Sequence, residues 1–148
     1  MTNQYQILKN KQQKEFNAFP MGAAFSEKQF TEMMAKWDLL PTDTDKILHI
    51  GGGCYIRKND REAFHELVDR LDREKKEAIA ADTTGDGIIK DMFLYELANH
   101  EYCITYDLED TLDALALTVD EINADPRLLH GLERALKQYL KEPRVIER

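Results

Sequence analysis

Long apolar runs are missing from this 148-residue sequence, and no stretch reaches the about 18 apolar residues that a membrane-crossing helix requires. The N-terminus, MTNQYQILKNKQQKEF, also lacks the apolar segment of a secretory signal, so a cytoplasmic protein with no membrane attachment is expected. Cysteine is scarce too. Cys54 and Cys103 have no Cys or His partner at zinc-ligand spacing and are read as reduced, half-buried thiols rather than as a disulfide. Basic residues are nearly absent from 82–125, where Lys90 stands alone against twelve acidic side chains, and the whole chain carries a formal charge of -8. A grip on nucleic-acid phosphates needs clustered Lys and Arg, so direct nucleic-acid binding is not expected; a basic surface of a host protein, or a bound cation, suits such a segment better. No G-x-S-x-G elbow or cysteine signature marks a nucleophile.

What is present is a soluble composition, 43% hydrophobic and 32% charged, in a chain long enough to bury a core without metal or disulfide staples. The pattern predicts one globular domain over 1–142, with 143–148 as a flexible tail. Its centre is the run Ile88 to Thr105, in which Ile88, Ile89, Met92, Phe93, Leu94, Tyr95, Leu97 and Ala98 point nearly all round a helical wheel, as in a buried helix. Glu96 and His100, four residues apart, share the face of Ile89 and Phe93, which puts an ionisable pair on a core surface.

Other elements follow from local chemistry. A helix from Asn3 to Phe19 ends at Pro20, and MGAAF is read as a connector in which Gly22 takes special backbone angles. Ser26 and Gln29 form a capping box before Phe30, Met33, Met34 and Trp37. KILHI and CYIRK around Gly51, Gly52 and Gly53 predict a β-hairpin from Lys46 to Lys58; Ile56 stands where a dinucleotide loop needs its third glycine. Asn59 or Asp60 is the expected cap of a helix to Ala81, with Phe64, Leu67, Val68, Leu71, Ala78 and Ile79 inward. Asp107 is the expected cap of a helix with Leu108, Leu112 and Leu115 inward; Thr118 and Glu121 box a short helix, and Asp125-Pro126 opens the last, with Leu128, Leu129, Leu132, Leu136 and Leu140 inward. The fold class is therefore α+β, mainly α, with about six helices around the central buried helix and one small β-hairpin.

Three chemical readings compete. DTTGDGII places Asp82, Thr84 and Asp86 at the early ligand positions of an EF-hand, but Lys90 and Phe93 stand where the later ligands belong, so a plain turn capped by Asp86 is expected. Glu96 and His100 could ligate one divalent metal, with Glu101 or Asp107 as a further ligand or base for hydrolysis; no cofactor is otherwise expected, and the alternative is a buried polar pair that fixes packing. The acidic side chains Glu109, Asp110, Asp113, Asp120 and Glu121 form the candidate partner-binding face.

FPMGAAF, IGGGCYIRKND and above all MFLYELANHEYCITYDLEDTLDALALT resemble a family of short uncharacterised proteins encoded by phages, plasmids and other mobile elements of Gram-positive gut bacteria. The likeness covers most of 16–118. It implies a cytoplasmic, non-enzymatic accessory protein of a mobile element, such as an anti-CRISPR-like inhibitor of a host defence or nucleic-acid-handling enzyme.

Overall fold

The computed structural model of the protein describes residues 2–100 and 108–141. Contacts group the chain into two compact units, unit 1 comprising 1–11 with 74–148 and unit 2 comprising 12–73. The class is the expected one, α+β and mainly helical, with seven α-helices and one small antiparallel sheet among the described residues. Helices α1 (Gln4–Asn17) and α3 (Arg61–Ala81) each contribute residues to both units.

In unit 2 the predicted hairpin forms from β2 (Ile47–Gly51) and β3 (Cys54–Arg57). Gly51, Gly52 and Gly53 all take positive φ, which explains three glycines in succession. A third strand, β1 (Gly22–Ala23), pairs with Tyr55 and Cys54, giving the order β1-β3-β2. Gly22 is thus a strand residue with no positive φ. Its requirement is space, because a Cβ there would come 2.5 Å from both Cγ and Sδ of Met33. Ser26 caps α2 (Glu27–Lys36) as expected: its hydroxyl accepts from the Gln29 N–H, while the Gln29 amide oxygen accepts from the Phe25 N–H. Met33 and Met34 are buried with Ala24 and Ile47, flanked by half-buried Phe30, Trp37, Leu39 and Tyr55.

Two expectations for α3 need correction. Asp60 does not cap it; a 3-10 turn (Lys58–Asp60) precedes the helix and the Asp60 carboxylate accepts from Arg57 Nε at 3.0 Å. Nor does the whole expected stripe face inward, although Ala78 and Ile79 pack against the core of unit 1; no α3 residue is fully buried. Phe64, Leu67 and Leu71 are only half-covered and Val68 is 40% exposed, although Phe64 holds Phe16 and Phe19 in edge-on contact.

Unit 1 is organised by α4 (Ile88–Asn99), which buries Ile88, Ile89, Met92, Phe93, Glu96 and Leu97. Around it lie α5 (Glu109–Ala114), α6 (Val119–Ala124) and α7 (Pro126–Lys141), together with Tyr5 of α1. Thr118 caps α6, its hydroxyl accepting from the Glu121 N–H and donating to the Glu121 carboxylate rather than leaving that carboxylate to the Thr118 N–H of a full box. On α7 the buried stripe is Leu128, Leu132, Ala135 and Tyr139, while Leu140, expected inward, is 56% exposed. Steps of four outrun a 3.6-residue turn by about 40° each, so a 128-132-136-140 series rotates away from the core. At Gly131 helices α4 and α7 approach closely: a Cβ would stand 2.5 Å from Ile89 Cγ2 and 2.9 Å from the Gly85 carbonyl oxygen.

The expected extended segment Tyr102 to Tyr106, the Asp107 cap and the tail at 143–148 lie outside the described residues. Helix α5 is preceded by Leu108, which makes no side-chain cap. Cys54 is a free, half-buried thiol.

Candidate functional site

Because α4 is apolar all round, its one buried carboxylate is conspicuous. Glu96 is 2% exposed and sits in unit 1 beneath side chains from two helices. The Tyr5 hydroxyl lies 3.4 Å from Glu96 Oε1 as its donor, and Lys9 Nζ donates to the same oxygen at 3.3 Å. Tyr5 and Lys9 are four apart on α1, so one turn of that helix delivers both. The Lys9 ammonium also stands 5.5 Å from the Tyr5 ring centroid and 5.1 Å from that of Tyr95, which are themselves 5.6 Å apart. This is a cation held between two aromatic rings and a carboxylate. Burial first, and the neighbouring Glu96 carboxylate second, push the Tyr5 phenol well above the usual tyrosine value, so it stays a neutral donor. The fully buried Thr111 of α5 donates its hydroxyl to the Glu96 backbone oxygen at 3.3 Å.

His100 completes the cluster as the residue that ends α4. Its Nε2 is 3.2 Å from Glu96 Oε2, yet out of line for a hydrogen bond, and this buried nitrogen has no hydrogen-bond partner among the described residues. The predicted meeting of Glu96 and His100 is therefore real. Glu101 and Asp107, the other residues of the metal reading, lie outside the described residues. Among the described ones, no group of three His, Cys, Asp or Glu is placed to hold a metal ion.

The EF-hand-like turn has a different use. Asp82 spends both carboxylate oxygens on the chain: Oδ1 accepts from the Gly85 N–H at 2.9 Å, and Oδ2 from the N–H groups of Gly87 and Ile89 at 3.0 Å each. Burial works to raise the Asp82 pKa, but backbone hydrogen bonds from Ile89, Gly85, Gly87 and Thr84 prevail and lower it. The N-terminus of α4 is thus served by Asp82, and the expectation that Asp86 caps the turn is wrong. Asp86 instead faces α7, with Oδ1 2.9 Å from His130 Nε2 and 3.4 Å from Arg134 Nε. Arg127 seals the far side by donating to the carbonyls of Ile79 and Asp82 while paired with Asp125, whose pKa it holds down. Both carboxylates of the loop, Asp82 and Asp86, are thus consumed in joining α3, α4 and α7.

The acidic side chains expected to form a partner-binding face are, by contrast, at the surface. Glu109, Asp110 and Asp113 on α5 and Asp120 and Glu121 on α6 are all exposed. Glu121 accepts the Thr118 hydroxyl, but no ion pair joins Asp110, Asp113 or Asp120 to a described basic side chain. Four of the five carboxylates lie in the first turns of their helices, where the helix dipole favours them. Asp113 does not. It lies in the last turn of α5, where negative charge is disfavoured and no basic residue offsets it.

Sequence reasoning gives Tyr5, Lys9 and Thr111 no place in the site, and Tyr95 only one among the apolar residues of the central helix. The one available signal was Tyr5 and Lys9 sharing a turn with a hydrophobic stripe, which reads equally as surface.

Residues 4–138 match the model of a family described as "Family of unknown function (DUF7659)". No curated protein and no solved structure matches the chain. No helix among the described residues is long and apolar enough to cross a membrane.

Proposed function

The chain belongs to this family of unknown function, and we propose that it is a non-enzymatic binding module that docks a basic protein surface through the carboxylates of α5 and α6. The observation that carries this reading is Asp113. Its charge lies where it costs the helix stability, with no described cation beside it, as a surface kept for a partner would require. Val119, 60% exposed between Thr118 and Asp120, adds an apolar contact within the same face. Opposite charge on the partner speeds encounter and fixes register, so binding weakens as salt rises. The sequence likeness to mobile-element proteins extends the proposal to a cytoplasmic inhibitor of a host defence or nucleic-acid-handling enzyme, anti-CRISPR-like in effect.

Pull-down from a host lysate at low and high salt tests it. A discrete basic protein is retained at low salt, released at high salt, and lost when Glu109, Asp110 and Asp113 are neutralised together. Capture that ignores the neutralisation overturns the proposal.

A second reading is metal-assisted hydrolysis at Glu96 and His100, favoured by the 3.2 Å between Oε2 and Nε2. Two ligands at roughly 2.0–2.2 Å from one divalent ion stand about that far apart. Lys9, 3.3 Å from the other oxygen, puts a competing positive charge against the same carboxylate. Elemental analysis of protein purified without chelator or affinity tag, with melting curves on added zinc and manganese, separates the two. Stoichiometric metal and a raised Tm support the metal site; no metal and an unchanged Tm leave the carboxylate to packing.

A further inference from the structure

Unit 2 carries an aromatic groove that neither reading uses. It has a volume of about 560 Å³ and is walled by Phe25, Phe30 and Tyr55, with Pro41 at its edge and Glu27 as its one charged side chain. We propose that this groove receives the guanidinium of an arginine side chain presented by a partner polypeptide.

The rings are arranged for a cation. Phe30 and Tyr55 stand nearly perpendicular, at 71° with centroids 5.6 Å apart, and so form a corner. His49, directly across from Tyr55 in the β2–β3 register, flanks its ring at 4.9 Å. Phe25, 75% exposed, forms the outer wall. Its N–H donates to the Gln29 side chain at 2.8 Å, and its ring lies so close over Gly53 that a Cβ there would be 2.5 Å from Phe25 Cε1. A large apolar ring exposed at the wall of a groove offers a contact surface to a partner.

Charge selects the occupant. Glu27 lies one helical turn before Phe30 and Thr31 on α2, so its carboxylate is on the groove side, and no basic side chain lines the walls to repel a cation. Aromatic faces attract cations through the ring quadrupole, and arginine more often than lysine occupies such sites. A flat guanidinium stacks on a ring while its fork of N–H donors reaches a carboxylate; a lysine ammonium is a compact, strongly hydrated point charge. The groove lies wholly within residues 24–55 of unit 2, so the inference stands apart from the acidic helices of unit 1.

The test is an NMR titration of the intact protein with acetyl-Gly-Arg-Gly-amide, with the citrulline counterpart, which keeps the shape and loses the charge, and with the lysine counterpart. The arginine peptide is expected to move the resonances of Phe25 to Thr31 and of Tyr55, and to bind roughly threefold or more tightly than either counterpart. Phe25→Ala and Glu27→Gln, both at exposed positions, each weaken binding while the rest of the spectrum stays in place. Absence of shifts at these residues, equal binding of citrulline or lysine, or indifference to both substitutions overturns the assignment.

Discussion

Unit 1 and unit 2 handle apolar and polar residues in opposite ways. Unit 1 closes thirteen buried apolar side chains around α4, and within that core it seats Glu96 with Tyr5, Lys9 and Thr111 as partners. Unit 2 has a buried cluster of four, Ala24, Met33, Met34 and Ile47, with its aromatic rings half open around it. In unit 1, polar groups are built into the core and the carboxylates of α5 and α6 are exposed. In unit 2, packing is thin and the aromatic side chains themselves become the surface. Removing one partner from a buried charge costs several kcal/mol, so Tyr5, Lys9 and Thr111 hold Glu96 in place, while the buried Nε2 of His100 stays without a hydrogen-bond partner among the described residues.

Core truncation tests this contrast most strongly. Leu97 and Met34 are both 0% exposed. Leu97→Ala should cost about 3–5 kcal/mol, because close neighbours on every side hold the cavity open. Met34→Ala should cost nearer ~2 kcal/mol, because half-buried Phe30, Trp37, Leu39 and Tyr55 can close in. Urea denaturation gives both values; equal losses would erase the distinction.

Glycine substitutions sharpen it at the next level. Gly131→Ala drives a methyl against Ile89 and the Gly85 carbonyl, which belongs to the backbone and cannot swing aside, for a loss of about 1–3 kcal/mol. Gly22→Ala meets Cγ and Sδ of Met33, side-chain atoms that rotate more readily than backbone, and should cost less, about 1 kcal/mol. Thermal melts of the two variants rank them directly.

The pH response should belong to unit 1 at both ends. Tyr5 is raised in the folded state, so its contribution is complete below the unfolded value of about 10 and is lost as the pH rises beyond it. Asp82 is lowered in the folded state, so its contribution is present above about pH 4 and is lost as the pH falls further. Tyr5→Phe should flatten the alkaline limb of a stability-pH curve, and Asp82→Asn the acid limb. Limbs unchanged by these substitutions would assign the pH response elsewhere. The smallest effect expected is a gain: Asp113→Asn should stabilise by about 0.3 kcal/mol, since it relieves charge at a helix C-terminus.

Much of this was legible where one local rule decides. The all-round apolar pattern marked α4 as central, Ser26 and Thr118 cap their helices as read, and the three glycines marked the hairpin turn. The misses share a cause, which is that long-range geometry chose among locally equivalent options. Asp82 rather than Asp86 serves α4 because Asp86 is drawn to His130 and Arg134, forty-four residues or more along the chain. Gly22 is needed for the room it leaves Met33, and a two-residue strand has no period to detect. Of the candidate site, Glu96 and His100 could be paired from their spacing; Tyr5 and Lys9 arrive from α1, and spacing within α4 carries no sign of them.

The claim that unit 1 keeps structure inside and recognition outside is tested most directly by salt-dependent capture of the basic partner, measured on Glu96→Gln beside the Asp110→Asn, Asp113→Asn, Asp120→Asn triple variant, each with its Tm. Glu96→Gln should lower the Tm and leave capture intact at any temperature where it is folded, while the triple variant should keep its Tm and lose capture. Loss of capture with Glu96→Gln in folded protein, together with full capture by the triple variant, would contradict the account.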